Sequence, residues 1–210
     1  DQRLRGEKHP GEGSGPPATP YEVPLSVQAR TVNADGTLSH PPAPWEPEFF
    51  GDQATVNGKI QPNLDVNRGK YRFRVLNGSN ARFYNFRFEC GGRTLRFLQI
   101  GTDGGLLDSP VSLRSLLLAP GERADLVVDF EHLRPNSHVV LTNDALAPFP
   151  FGDDVVIPEI MQFTVTRDSG WTKSLTTRTN LRSRTAPITR LEHLKVDKTR
   201  NMSLVEVQGP

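Results

Sequence analysis

Cysteine is almost absent from this chain, and histidine is thinly spread. In 210 residues the only cysteine is Cys90, and the five histidines are His9, His40, His132, His138 and His193. A single thiol excludes an internal disulfide and a thiolate-rich metal site. No two histidines stand two apart, and Cys90 lies in Glu89-Cys90-Gly91-Gly92 with no histidine beside it. Paired imidazole ligands are therefore excluded as a local motif, and no metal site is expected in the chain. His9 and His40 lie in proline-rich segments, His132 precedes Arg134-Pro135 as a turn residue, His138 opens a strand, and Cys90 reads as a small packed side chain. An excess of charge of one sign is also missing, because 25 Lys and Arg face 24 Asp and Glu. Nucleic acids and anionic membrane surfaces call for a larger basic excess, so neither is an expected partner. No apolar run reaches the length of a membrane-spanning helix, and no secretory leader opens the sequence. Helical periodicity never extends beyond about two turns.

What the chain does have is glycine and proline, 18 of each, between short alternating segments. Residues 1–20 are charged, then rich in Gly and Pro, and read as a linker. Residues 21–168 form the expected domain. Tyr21 to Val32 alternates as a strand, with Asn33-Ala34-Asp35-Gly36 as its turn. Thr55-Val56 leads into Asn57-Gly58, a hairpin signal because both residues accept positive φ. From Lys70 to Leu76, Tyr71, Phe73 and Val75 share one face while Lys70, Arg72 and Arg74 share the other. Tyr84, Phe86 and Phe88 repeat the pattern. Further strands are expected at Thr94–Ile100, Leu113–Leu118, Ala124–Phe130, His138–Thr142 and Ile160–Thr166. So many short strands with turn signals between them predict an all-β, antiparallel sandwich or barrel. Residues 169–187, rich in Ser, Thr and Arg, read as a second linker. Residues 188–210 hold one or two more alternating stretches, too few for a core of their own.

Three groups of residues invite a functional reading and receive a structural one. Arg72, Arg74, Arg82, Arg87, Arg93 and Arg96 interleave with aromatics as in single-strand nucleic-acid binders, but alternation alone would place arginines outward and aromatics inward. Glu122 to Asp125 follows a Pro-Gly turn and suits turn-locking hydrogen bonds or an ion pair better than acid–base work. Asp103-Gly104-Gly105 is a tight turn before it is a phosphate loop.

One ordered series of motifs is specific. It runs FFGD (Phe49 to Asp52), VNGK (Val56 to Lys59), P-x-L-x-V (Pro62 to Val66), YRFRVLNGSNAR (Tyr71 to Arg82), IGTDGGLL (Ile100 to Leu107), LAPGERADLVVDF (Leu118 to Phe130) and IMQFTV (Ile160 to Val165). The series resembles the middle domain of three-domain, laccase-like multicopper oxidases, the branch with spore-coat laccases, bilirubin oxidases and phenoxazinone synthases. It covers roughly Tyr21 to Thr166. One departure is Gln61, where the family often has an aromatic residue before the proline.

The resemblance implies a cupredoxin-like Greek-key β-sandwich or barrel. It implies that copper belongs to the parent enzyme, in flanking cupredoxin domains that carry His-x-His and His-Cys-His segments, and that this chain has no catalytic residue. The parent would oxidise phenolic or aminophenolic aromatics and reduce oxygen. In spore-coat laccases the rim of the substrate cleft includes two positions that correspond here to Phe50 and to the stretch Ala147, Pro148, Phe149, Pro150 and Phe151. Cysteines stand there in those enzymes, so no lid disulfide is expected. An aromatic, proline-stiffened loop suits a planar substrate, and equally suits sealing a domain interface. A stand-alone binding or structural module that lost its metal is the alternative to an excised domain, and a small copper protein built on the scattered histidines is a third reading. Secreted and cytoplasmic locations are both compatible with the sequence.

Overall fold

The computed structural model describes residues 20–39, 48–182 and 194–205. The described strands are β1 (Glu22–Arg30), β2 (Gln53–Val56), β3 (Lys59–Ile60), β4 (Asn63–Arg68), β5 (Lys70–Asn77), β6 (Tyr84–Cys90), β7 (Arg93–Thr94), β8 (Phe97–Thr102), β9 (Gly105–Leu113), β10 (Leu116–Leu118), β11 (Arg123–Asp129), β12 (His138–Asn143) and β13 (Glu159–Ser169). They form two sheets. One has the order β3-β2-β1-β5-β11-β8-β9, and the other β10-β6-β12-β13-β4, with β7 paired to β6.

Alternation decides which side chains enter the space between the sheets. Tyr71, Phe73 and Val75 of β5 are buried, as are Tyr84, Phe86 and Phe88 of β6 and Phe163 of β13. Phe73 meets Phe88, Phe130 and Phe163 at centroid distances of 6.3, 6.4 and 5.1 Å, so aromatic contacts tie the two layers together. On the opposite face of β5, Arg72 and Arg74 pair with Glu22 of β1 and Asp125 of β11. The hairpin at Asn57-Gly58 has φ of 51° and 81°, and the Asn57 side chain bonds back to Ser26 and Pro24 of β1. Asp125 is thus an ion-pair partner, and Glu122 accepts from the Ala119 amide across the turn. Asp103 accepts from the Arg123 amide in the same structural manner.

The structure departs from the sequence expectations in four places. Two pairings, β1 with β5 and β4 with β13, are parallel, so the sheets are mixed rather than antiparallel. The single strand expected at Thr94–Ile100 is two: β7 pairs with β6 in one sheet, whereas β8 pairs with β11 in the other. The chain changes layer between them. Strand β9 covers residues 106–112, where no strand was expected, and the single strand expected at Leu113–Leu118 is divided between the end of β9 and β10 in the other sheet; Pro110 is compatible with β9 because β9 is a sheet edge. Finally, residues 170–182 lie along the outer face of the larger sheet. Leu175 is 6% exposed and packs with Ile100 and Val127, flanked by Leu98, Trp171 and Leu181. The Lys70 amide donates to Trp171 O, the Leu181 amide to Asp108 O, and Arg182 to Leu106 O. Residues 1–19, 40–47, 183–193 and 206–210, with nearly all of the first expected linker and the last part of the second, lie outside the described residues, and 194–205 form no strand.

Candidate functional site

The turn between β5 and β6 is built from the inside. Asn77, fully buried, donates from Nδ2 to Arg82 O (2.9 Å) and Leu118 O (3.0 Å) and accepts the Ser79 amide on Oδ1 (3.0 Å). Ser79 Oγ accepts the Ala29 amide at 2.8 Å and lies 3.1 Å from the Tyr84 hydroxyl. This network fixes the backbone that carries Arg82. Burial pushes the Tyr84 phenol up, with the Ser79 hydrogen bond and the Arg82 charge partly opposing it.

Arg82 is the residue that the alternation argument misplaced. It sits in the turn, outside both flanking strands, and is 1% exposed. Its guanidinium donates to Gly51 O at 2.8 Å and to Val155 O at 3.3 Å, and lies 5.7 Å from the centroid of the Phe50 ring. Burial lowers its pKa, which nearby Tyr84 and Asp52 partly restore. No described carboxylate forms an ion pair with it, and its Nε has no partner among the described residues.

Arg82 bonds to the residue after Phe50 and to Val155, which follows the loop holding the 147–151 stretch. Gly51 lies so close to β1 that a Cβ there would stand 2.3 Å from Arg30 N, which places Phe50 beside the end of β1. The loop holding the 147–151 stretch is closed. Ala147 N donates to Asp154 O at 2.9 Å and Gly152 N to Pro148 O at 2.6 Å. A Cβ on Gly152 would stand 2.2 Å from the Ala147 carbonyl, so only glycine closes it. The peptide bonds before Pro148 and Pro150 are cis. Phe149 stacks on Phe83 at 4.7 Å and 19°, while Phe151 projects outward, 93% exposed. Asn143 holds the loop's far end, donating to Ile157 O at 3.0 Å. Phe50 is half-buried on the segment before β2, and Phe149 and Phe151 lie on the closed loop. These residues include no nucleophile and no acid–base pair, so their chemistry is apolar and stacking contact. Sequence reasoning singled out Phe50 and the 147–151 stretch but missed the arginine beside them. Arg82 stands two residues after the Asn-Gly-Ser-Asn turn, where strand alternation gives no guidance and no local pattern announces its partners.

The described donors do not fit a copper centre. No three described His, Cys, Asp or Glu side chains converge. His132 and His138 are exposed, and His138 Nδ1 lies 3.3 Å from Thr164 Oγ1. Cys90 is a free, half-buried thiol. His9, His40 and His193 lie outside the described residues. Gln61, the departure from the family pattern, takes φ of 40° and bonds through Nε2 to Glu159 O, so it ties the β3–β4 turn to β13.

Comparisons with known proteins agree with one another. The family model described as "Multicopper oxidase" matches residues 17–171. A laccase from Bacillus subtilis is 44% identical over 166 residues, 72% of this chain and 31% of that protein. Multicopper oxidase LPR1 of Arabidopsis thaliana is 41% identical over 166 residues, 73% of this chain and 28% of that protein. The crystal structure of the McoA multicopper oxidase from Aquifex aeolicus superposes with a TM-score of 0.69 at 39% identity, covering 80% of this chain and 36% of that one. The chain thus spans about a third of the length of these relatives.

Proposed function

The chain belongs to the multicopper oxidase family, and on that premise we propose that it is the middle, copper-free cupredoxin domain of a laccase-like enzyme. Its fold is the all-β, cupredoxin-like sandwich of those relatives. The parent oxidises phenolic or aminophenolic aromatics, and copper in the neighbouring domains supplies the electron transfer and the reduction of oxygen. This chain's own residues bind and orient. They bridge the flanking domains and form one wall of the substrate cleft.

The observation that carries the cleft reading is Phe151, presented to solvent on a closed loop whose C-terminal neighbour Val155 is bonded to Arg82, beside which Phe50 lies. A rigid, exposed ring is suited to stacking on a planar substrate at small entropic cost. In the full-length protein, Phe151→Ala is expected to raise KM for a planar phenol several-fold while kcat and the copper absorbance spectrum hold. An unchanged KM together with lost copper or lowered thermal stability would assign the ring to a domain interface and overturn the cleft reading. A separate measurement tests the copper assignment. After copper loading and desalting, the 210-residue chain is expected to retain no stoichiometric copper and to show no blue thiolate–copper band. Stoichiometric retention would refute it.

A further inference from the structure

We infer that Arg82 is a positioning residue, the clamp that sets the spacing between the Phe50–Gly51 segment and the base of the loop that carries Phe149 and Phe151. The inference rests on the cleft reading only for its functional consequence. A guanidinium is a planar fork with several donors in fixed directions, and here two nitrogens reach in different directions to two backbone carbonyls, Gly51 O and Val155 O. Those carbonyls belong to segments more than 100 positions apart in the chain, 51 and 155. The same guanidinium lies over the Phe50 ring, 5.7 Å from its centroid. One side chain therefore holds the Phe50–Gly51 segment directly and the base of the loop that carries Phe149 and Phe151 through Val155.

Its burial without a carboxylate partner points the same way. A buried cation is ordinarily paired with an anion, because desolvation otherwise disfavours it. Here the direct partners are backbone oxygens and a ring, with the Asp52 charge acting only at a distance, so the guanidinium is held by these two segments and not by an ion pair. Asn77, bonded to Arg82's own carbonyl, holds the base of the clamp. Lysine, a point charge with no fork, cannot reproduce the two-direction donation to both carbonyls.

The test uses the full-length protein with Arg82→Lys, Arg82→Met and Phe50→Leu. Hydrogen exchange is read at the amides of Ala147, Gly152 and Ile157, with amides of β5 and β11 as internal references. The expected result is roughly tenfold faster loop exchange in both arginine variants, on the scale of losing one hydrogen bond to a charged group, with the references unchanged. KM for a bulky planar phenol is expected to rise several-fold while kcat and the copper spectrum hold. Phe50→Leu should raise KM without loosening the loop. Faster loop exchange with an unchanged KM would uphold the clamp and defeat the cleft reading. Loop exchange at the wild-type rate in Arg82→Lys would overturn the clamp, since charge alone would then suffice. If Arg82→Met fails to fold, the Lys variant still decides.

Discussion

Single residues at the β5–β6 turn carry more than their type suggests. Asn77 satisfies three backbone groups from one buried amide, so Asn77→Ala strands all three. The expected cost is about 3 kcal/mol, from the usual penalty for buried unpaired groups, read as a lower urea midpoint with an unchanged m-value. Lys70 offers a pH signature. Burial works against its charge, but Asp129 at 3.1 Å and Glu131 at 3.2 Å outweigh that and raise its pKa. A raised pKa in the folded state means its stabilisation is complete below the ordinary lysine value of about 10.4 and is lost as pH rises through the folded value. Buried Tyr71 and Tyr84, also raised, act in the same direction. Thermal melts from neutral pH to strongly alkaline pH should therefore fall less steeply for Lys70→Met than for the native chain, and parallel curves would remove Lys70 from the account. Phe50 and the 147–151 stretch were singled out through the family resemblance, and their role at a cleft is proposed. The burial of Arg82 was not legible, because it follows from two distant backbone oxygens that no local pattern announces.

Among the elements, those whose side chains alternate strictly were the most legible. β5, β6, β11 and β12 appear within a residue or two of expectation, since one face of each had to be buried. The failures share a cause: the deciding partner lies far off in sequence. Thr94–Ile100 reads as one strand by composition, yet it splits where the chain passes from one sheet to the other. The segment 170–182 reads as linker because its apolar residues, Trp171, Leu175 and Leu181, are widely spaced. Each nonetheless finds the outer face of the larger sheet. That packing predicts a measurable role. Leu175→Ala should destabilise the chain by about 2 kcal/mol, the lower end for a buried leucine, and should expose 170–182 to protease before the sheets unfold. Equal protease resistance would show that the backbone contacts at Trp171, Leu181 and Arg182 hold the segment unaided.

At the scale of the whole molecule, family and fold were legible because several weak motifs stand in one order, whereas the mixed sheets were not, since parallel pairing requires knowing which distant strands meet. The exposed ring of Phe151 and the outward Val156 predict behaviour for the domain in isolation. Apolar surface of this kind favours association. The 210-residue chain should show weak, concentration-dependent self-association by light scattering, reduced by Phe151→Ala, and a strict monomer at high concentration would count against exposed interdomain faces. The parallel register of β4 with β13 has a consequence in time. Gln162 lies beside Asn63, its partner 99 positions earlier, so β4 emerges from the ribosome long before the strand that completes it. At roughly 5–20 residues per second, the wait is on the order of 5 to 20 seconds. Through that interval Leu64 and Val66 have no sheet to enter, and the nascent chain passes through a window in which chaperone capture or aggregation competes with folding.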